Sequence, residues 1–235
     1  MIDTDLLKQG IEDLGLVVIE DQLRLMDEYA EALVEKNKVM NLTRITEPSK
    51  ILTDHFFDSL TTLLAYNPKE GDTFLDIGTG AGFPGVPIAI MNPKSKVVML
   101  DSTAKKINFV KETCERLSIN NVSFLTGRGE VLAHNRDYRE KFDCVCARAV
   151  SDMKILSEIA LPFVKLGGVF IALKSINIKD EIQKAQNTIK NIGGVISEIK
   201  TITVPISNTQ KSLIIIKKIS KTQKKYPRDY GEIVK

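Results

Sequence analysis

The sequence predicts an α/β protein: a mostly parallel sheet with an antiparallel C-terminal hairpin, preceded by an N-terminal helical cap. Three observations carry this. From residue 73 onward apolar runs alternate with helical patterns, the mark of parallel strands joined by right-handed crossovers. The run Thr73–Ile77 stops at Gly78, Gly80 and Gly82 on alternate positions, followed by Pro84, Gly85 and an apolar segment, which reads as strand, tight turn and helix start. Lastly, Val195–Val204 and Leu213–Ile219 are strand-like runs separated only by a short loop, with no helix between them.

Taken in order, residues 4–14 and 20–38 place apolar side chains at helical spacing, Leu7, Ile11 and Leu14 and then Leu23, Met26, Ala30 and Leu33 among them. The acidic residues fall between these positions and read as a solvated face. A third helix is expected from about Thr46 and Pro48 to Tyr66. Strands are expected at 73–77, 96–101, 122–126, 142–147 and 168–173, and helices at 84–91, 104–117, 129–136, 153–165 and 178–191. The organisation that follows is a helical cap over 1–66, a core over 67–220 and a basic tail over 221–235.

At 235 residues and 43% hydrophobic, the chain can bury a sizeable core without disulfides. Cys114, Cys144 and Cys146 read as core packing, and with only His55 and His134 besides them no zinc-ligand spacing can be assembled, so no metal is expected. No run approaches the ~20 apolar residues of a membrane span, and no leader segment precedes the first helix, so a cytoplasmic protein away from membranes is expected, as a monomer. The net charge of +3 conceals an asymmetry. Residues 1–66 hold 6 Lys/Arg against 13 Asp/Glu, whereas residues 211–235 hold 8 against 2, so the C-terminal end is the natural place for a polyanion.

The glycine turn admits two ligands. Read from Gly80 it is G-x-G-x-x-G, with Asp101 roughly 20 residues on, which is the spacing of a dinucleotide site. Read from Asp76 it is D-x-G-x-G-x-G, which is similar to the first motif of the Rossmann-like class I methyltransferases that use S-adenosylmethionine. A carboxylate in an apolar strand is costly to bury without a partner, and the ammonium of a methionine moiety would supply one. On either reading the free amides of the turn would face the ligand. No length remains for the substrate domain that a nicotinamide-dependent oxidoreductase would need. A glycine-rich turn without a ligand is the plainer alternative.

In such sheets the ligand lies outside the carboxyl ends of the strands. Asp101, ending the second strand of the pattern, can accept from ribose hydroxyls; capping the next helix is its structural alternative. Gly129 and Glu130 follow the third strand, where an adenine edge would fall, and Arg148 ends the fourth as a lone cation entering the cleft. His55 lies on or beside the apolar face of the third helix, where a satisfied core histidine is the ordinary reading.

With these residues in place, the chain resembles the RsmG (GidB) family of bacterial 16S ribosomal RNA guanine-N7 methyltransferases. The resemblance runs from Asn41-Leu42-Thr43 and His55-Phe56-Phe57-Asp58-Ser59-Leu60, through Asp76–Gly85, Leu100-Asp101-Ser102 and Lys105-Lys106, to Ala147-Arg148-Ala149 and Tyr226-Pro227-Arg228. It implies S-adenosylmethionine contacts at Gly78, Phe83, Gly129, Glu130 and Arg148, with Asp76, Gly80 and Asp101 expected beside them. It also implies 16S rRNA, free or in a small-subunit particle, as partner. Two positions depart from the family pattern: Gly129 stands where Ala is usual, and Ser175 follows Lys174 where Gly is common.

Guanine N7 carries a lone pair and no proton, so methyl transfer to it needs no general base; Arg148 is expected to position rather than deprotonate. The expected RNA contacts are His55, Asp58, Lys174, Lys217, Lys218, Lys221, Lys224, Lys225 and Arg228, with Tyr226 and Tyr230 available to stack on bases. A non-enzymatic RNA-binding or assembly factor would explain the basic end alone, and a disordered solubilising tail is the bland alternative for it.

Overall fold

The computed structural model describes residues 2–148 and 151–235. Ala149, one of the residues carrying the family resemblance, lies outside them. Strands β1 (Thr73–Ile77), β2 (Lys96–Asp101), β3 (Val122–Thr126), β4 (Phe142–Arg148), β5 (Val164–Ser175), β6 (Gly194–Thr203) and β7 (Gln210–Lys218) form one sheet in the order β3-β2-β1-β4-β5-β7-β6. The first five are mutually parallel, and β7 runs antiparallel to both β5 and β6. This is the expected sheet with its closing hairpin. The order reverses between β1 and β4, so their carboxyl ends, Ile77 and Arg148, border the crevice where such folds bind ligands.

The helices α5 (Gly85–Met91), α6 (Ala104–Arg116), α7 (Gly129–Leu132), α8 (Met153–Ala160) and α9 (Lys179–Asn191) connect successive strands. Two are shorter than periodicity predicts. Helix α8 gives way at Leu161–Phe163 to a 3-10 turn containing Pro162, which lacks the N–H a continuing helix needs, and β5 then begins at Val164 rather than 168. Helix α7 ends at Leu132, not 136, and a run of turns follows to Glu140.

Helices α1 (Thr4–Asp13) and α2 (Glu20–Met40) carry the acidic face outward and bury Leu7, Ile11, Leu23, Met26, Tyr29 and Leu33. These residues share one buried cluster with Phe74, Phe83, Val86 and Met99 of the sheet region. The third helical segment is not a uniform α-helix. Single α-turns, α3 (Pro48–Lys50) and α4 (Asp58–Leu60), flank a π-helical stretch over Ile51–Phe57, and a 3-10 turn over Thr61–Leu64 ends it. Wider π turns are uncommon and gather at functional sites. Here the wide turn holds His55, Phe56 and Phe57 all buried.

The basic tail is packed, not loose. Arg139 donates to the carbonyls of Thr222, Gln223 and Tyr226, a His134 ring nitrogen lies 2.8 Å from the Pro227 carbonyl, and Arg228 forms a two-pronged ion pair with buried Glu158. The last helix, α10 (Tyr230–Ile233), buries Ile233 completely. Lys218 corrects an expectation. It shares a face of β7 with Ile214 and Ile216, is 1% exposed, and donates to Leu161 O and to the Thr222 hydroxyl beside Glu140, so it cannot grip RNA. Burial pulls its pKa down to about 8.

Candidate active site

Two cavities meet at the carboxyl ends of β1 and β4. The first, about 330 Å³, is walled by Ile77, Leu100, Ile155 and Ile159, with Asp101, Gly129 and Glu130 at its polar edge. The second, about 500 Å³, is walled by Thr43, Ile45, His55 and Asp58 from the cap, Gly80 and Phe83 from the turn, and Lys174 and Lys211 from β5 and β7. Gly78 and Arg148 line both.

The turn between β1 and α5 follows from its glycines. Gly78, Gly80 and Gly82 all sit at positive φ, +73°, +58° and +91°, where a side chain would be strained. At Gly82 a Cβ would also lie 2.3 Å from the Tyr29 hydroxyl, which donates to Ala81 O and thereby ties α2 to the turn. Contrary to expectation, six of the turn's amides are spent within the protein. Gly78 and Thr79 donate to Leu100 O, Gly82 and Phe83 to Thr79 O, Gly80 to Asp101 Oδ2, and Gly85 to Asp76 Oδ2. A pyrophosphate needs such amides free. With most of its donors spent internally, this turn fits the dinucleotide reading poorly.

Asp76 is the second correction. Its side chain is fully buried and lines neither cavity; it accepts from Gly85 N at 2.8 Å at the start of α5, so it holds the turn rather than a ligand's ammonium. Burial raises its pKa to about 6, against the opposing pull of that hydrogen bond and of Arg148. Asp101 does line the first cavity, but it also supports the backbone: Oδ2 accepts from Gly80 N and Oδ1 from Thr103 N. Each oxygen keeps a lone pair for a second donor. Gly129 is tightly packed: a Cβ there would come within 2.6 Å of the Ile159 methyl, so Ile159 would have to shift to admit an alanine.

Arg148 organises the junction. Nη1 donates to Asp54 O at 2.5 Å and to Asp58 Oδ2 at 3.1 Å, Nη2 donates to His55 Nδ1 at 3.1 Å, and the guanidinium lies 5.6 Å from the Phe83 ring centre. The Phe83 ring stacks on His55, 4.4 Å between centroids and 9° between planes. Because Arg148 can only donate, His55 Nδ1 is the acceptor, and Nε2 carries the proton toward the Thr43 hydroxyl at 3.1 Å. Burial, with the neighbouring Arg148 charge, pushes the His55 pKa down to about 3. Asp58 is also met by Lys211 at 3.6 Å, and Lys174 is paired with Glu181 at 2.6 Å and donates to Ser151 O. Of the expected RNA-contact residues, His55, Asp58 and Lys174 thus gather at the second cavity. Arg228 is held by Glu158, while Lys217, Lys221, Lys224 and Lys225 are exposed. Among the described residues no cluster of His, Cys, Asp and Glu could hold a metal, and no helix is long and apolar enough to cross a membrane.

The chain matches the family described as GidB, rRNA small subunit methyltransferase G, over residues 22–214. The chain belongs to this family. It is 42% identical to the ribosomal RNA small subunit methyltransferase G of Lachnoclostridium phytofermentans, over all of this chain and 97% of that one. Identity to the Lactobacillus acidophilus protein of the same name is 45%, over 86% of this chain and 85% of that one. Among solved structures, a SAM dependent methyltransferase from Aquifex aeolicus superposes with TM-score 0.56 at 18% identity, covering 76% of this chain and 97% of that one, a likeness of fold alone. The family makes the chain a methyltransferase of small-subunit rRNA. Lys211 and Arg139, which the sequence did not single out, complete the neighbourhood of the two cavities and the tail; their contacts to the tail and to Asp58 span 83 to 153 residues, and no local pattern signals them.

Proposed function

We propose that the protein transfers a methyl group from S-adenosylmethionine to N7 of a guanine in 16S rRNA, by in-line displacement without a general base. The first cavity suits the nucleoside end of that cofactor. Ile77, Leu100, Ile155 and Ile159 offer apolar walls to a base, Asp101 offers lone pairs to ribose hydroxyls, and Gly78 lies at the passage to the second cavity. When bound, the cofactor supplies an electrophilic methyl on a sulfonium. The second cavity then receives the guanine, and Arg148 at the passage fixes the wall that both share.

The observation that carries the base-free reading is the state of His55. Its Nδ1 accepts from Arg148, its Nε2–H points to Thr43, and its pKa is about 3, so at neutral pH it has no lone pair free to take a proton. Asp58 and Lys174 beside it are bound in ion pairs. A cleft so arranged supports a nucleophile that arrives without a proton, and orientation alone can contribute ~7–11 kcal/mol in favourable cases. Exposed Lys217, Lys221, Lys224 and Lys225 are placed to meet phosphates. N7 is inaccessible in the deep groove of an A-form duplex, which favours a loop or an assembling particle as substrate.

The test is the pH dependence of single-turnover methyl transfer to small-subunit rRNA. A flat rate between about pH 6 and pH 9 is expected, with no rescue of Arg148→Lys by added imidazole. A slope of one per pH unit, or rescue by the external base, overturns the base-free mechanism; no transfer at all overturns the function.

A further inference from the structure

The match to the family model ends at 214, and the structure brings the chain's last residues back to the first cavity. Tyr230 is part of its wall, together with Arg128, Gly129 and Glu130. We propose that the C-terminal segment is a strap that completes the cofactor cavity, and that the Tyr230 ring stacks on the cofactor's adenine. This rests on the reading of that cavity as the S-adenosylmethionine site.

Three sets of contacts hold the ring there. Downstream, Ile233 is fully buried among the residues that pack with Leu75, Ile77 and Leu156, which fixes the far end of α10. Upstream, Arg228 grips Glu158 through Nε and Nη2 at 2.8 and 2.7 Å, while Glu158 Oε1 also accepts from Arg228 N. Beside the ring, the Arg128 guanidinium lies 5.5 Å from its centre, and Arg128 directly precedes the Gly129-Glu130 edge. The segment between is therefore pinned on both sides of Tyr230. The ring is 42% exposed and lines the cavity, so its face is open to a ligand there. Tyrosine offers a rigid aromatic face at small entropic cost, as stacking on a purine requires. Within the strap Arg228 serves as an anchor, not as an RNA ligand.

The experiment is calorimetric titration of the full-length protein and of its Tyr230→Ala and Tyr230→Phe variants with S-adenosylmethionine and, separately, with adenosine. Thermal unfolding of each variant checks that the fold is unchanged. The expected result is that Tyr230→Ala weakens both ligands by the same factor, ~10-fold or more, whereas Tyr230→Phe binds as wild type does. Wild-type binding that survives unchanged in Tyr230→Ala overturns the strap and leaves the methyltransferase reading standing. Equal losses in both variants also overturn it, because the contact would then be the hydroxyl. If the wild type binds neither ligand, the assignment of the cavity itself fails. A loss of rRNA binding by Tyr230→Ala with S-adenosylmethionine binding intact would move Tyr230 to the substrate side.

Discussion

The two ends of the chain both fold back onto the carboxyl ends of the strands, but by different physics. The N-terminal cap is bound through apolar burial: Tyr29, Phe56 and Phe57 are fully buried and share a cluster with the sheet residues. The tail is bound chiefly through polar contacts to backbone carbonyls and one ion pair at Glu158, with Ile233 as its buried apolar anchor. The cap forms the wall of the second cavity and the tail part of the first. The cap should thus be inseparable from folding, whereas the tail can be loosened with the core intact.

The largest effect expected from this contrast is on the cap side. Arg148→Ala removes the main partner of Asp58, which is 5% exposed, and frees His55 and the Asp54 carbonyl at once. A loss of ~3–5 kcal/mol in urea unfolding is expected, since a buried charge is left poorly compensated. A loss below ~1 kcal/mol would mean the cap does not depend on this clamp.

Next is the tail's anchor. Arg228→Ala leaves Glu158, 1% exposed, without its ion-pair partner and should cost ~1–3 kcal/mol. Because the tail loosens first, trypsin should cut the variant at Lys221, Lys224 or Lys225 while the remaining fragment stays folded. Loss of the whole chain at the same rate would erase the distinction between the ends.

Acid sensitivity sharpens the cap side further. His55 has a depressed folded pKa of about 3 against 6.5 unfolded, so its contribution is present above pH 6.5 and is lost as pH falls toward 3. Asp76, raised to about 6 from 3.8, acts in the opposite sense: its contribution is present below 3.8 and lost as pH rises through 6. The two largely offset each other in the wild type. Relative to wild type, His55→Gln should therefore gain ~2 kcal/mol between pH 6.5 and about pH 4.5, with the Asp76 effect common to both proteins. A pH-independent difference would contradict the buried neutral imidazole.

The smallest effect on stability is expected from Lys224→Ala with Lys225→Ala. Both are exposed, so unfolding should be unaltered, while the salt slope of rRNA binding falls by about 1 to 2. An unchanged slope would take the tail out of RNA binding.

What could be read from the sequence differs in the same way. The strand bounds of β1, β2 and β3 match periodicity to the residue, because apolar runs between glycine and polar breaks leave one solution. The π-helical stretch was not legible, since Leu52, Phe56 and Leu60 satisfy an α spacing equally well. Lys218 was lost in a run of lysines, although its even parity with Ser212, Ile214 and Ile216 on β7 pointed inward. Asp76 was legible as a buried carboxylate, but not its partner, the Gly85 amide nine residues on. The meeting of Arg148 with His55 and Asp58 joins segments 90 or more residues apart, and only the crossover topology brings them together.

The most direct test of the account is the identity of the methylated atom. Small-subunit particles from cells lacking this enzyme would be incubated with the protein and S-adenosylmethionine carrying a labelled methyl, and the rRNA nucleosides resolved by mass spectrometry. Label confined to 7-methylguanosine, and abolished by Arg148→Ala, is the result expected of a base-free cleft whose wall is set by that arginine. Label on an exocyclic amine, on a ribose hydroxyl or on guanine N1, each of which must shed a proton, would contradict it.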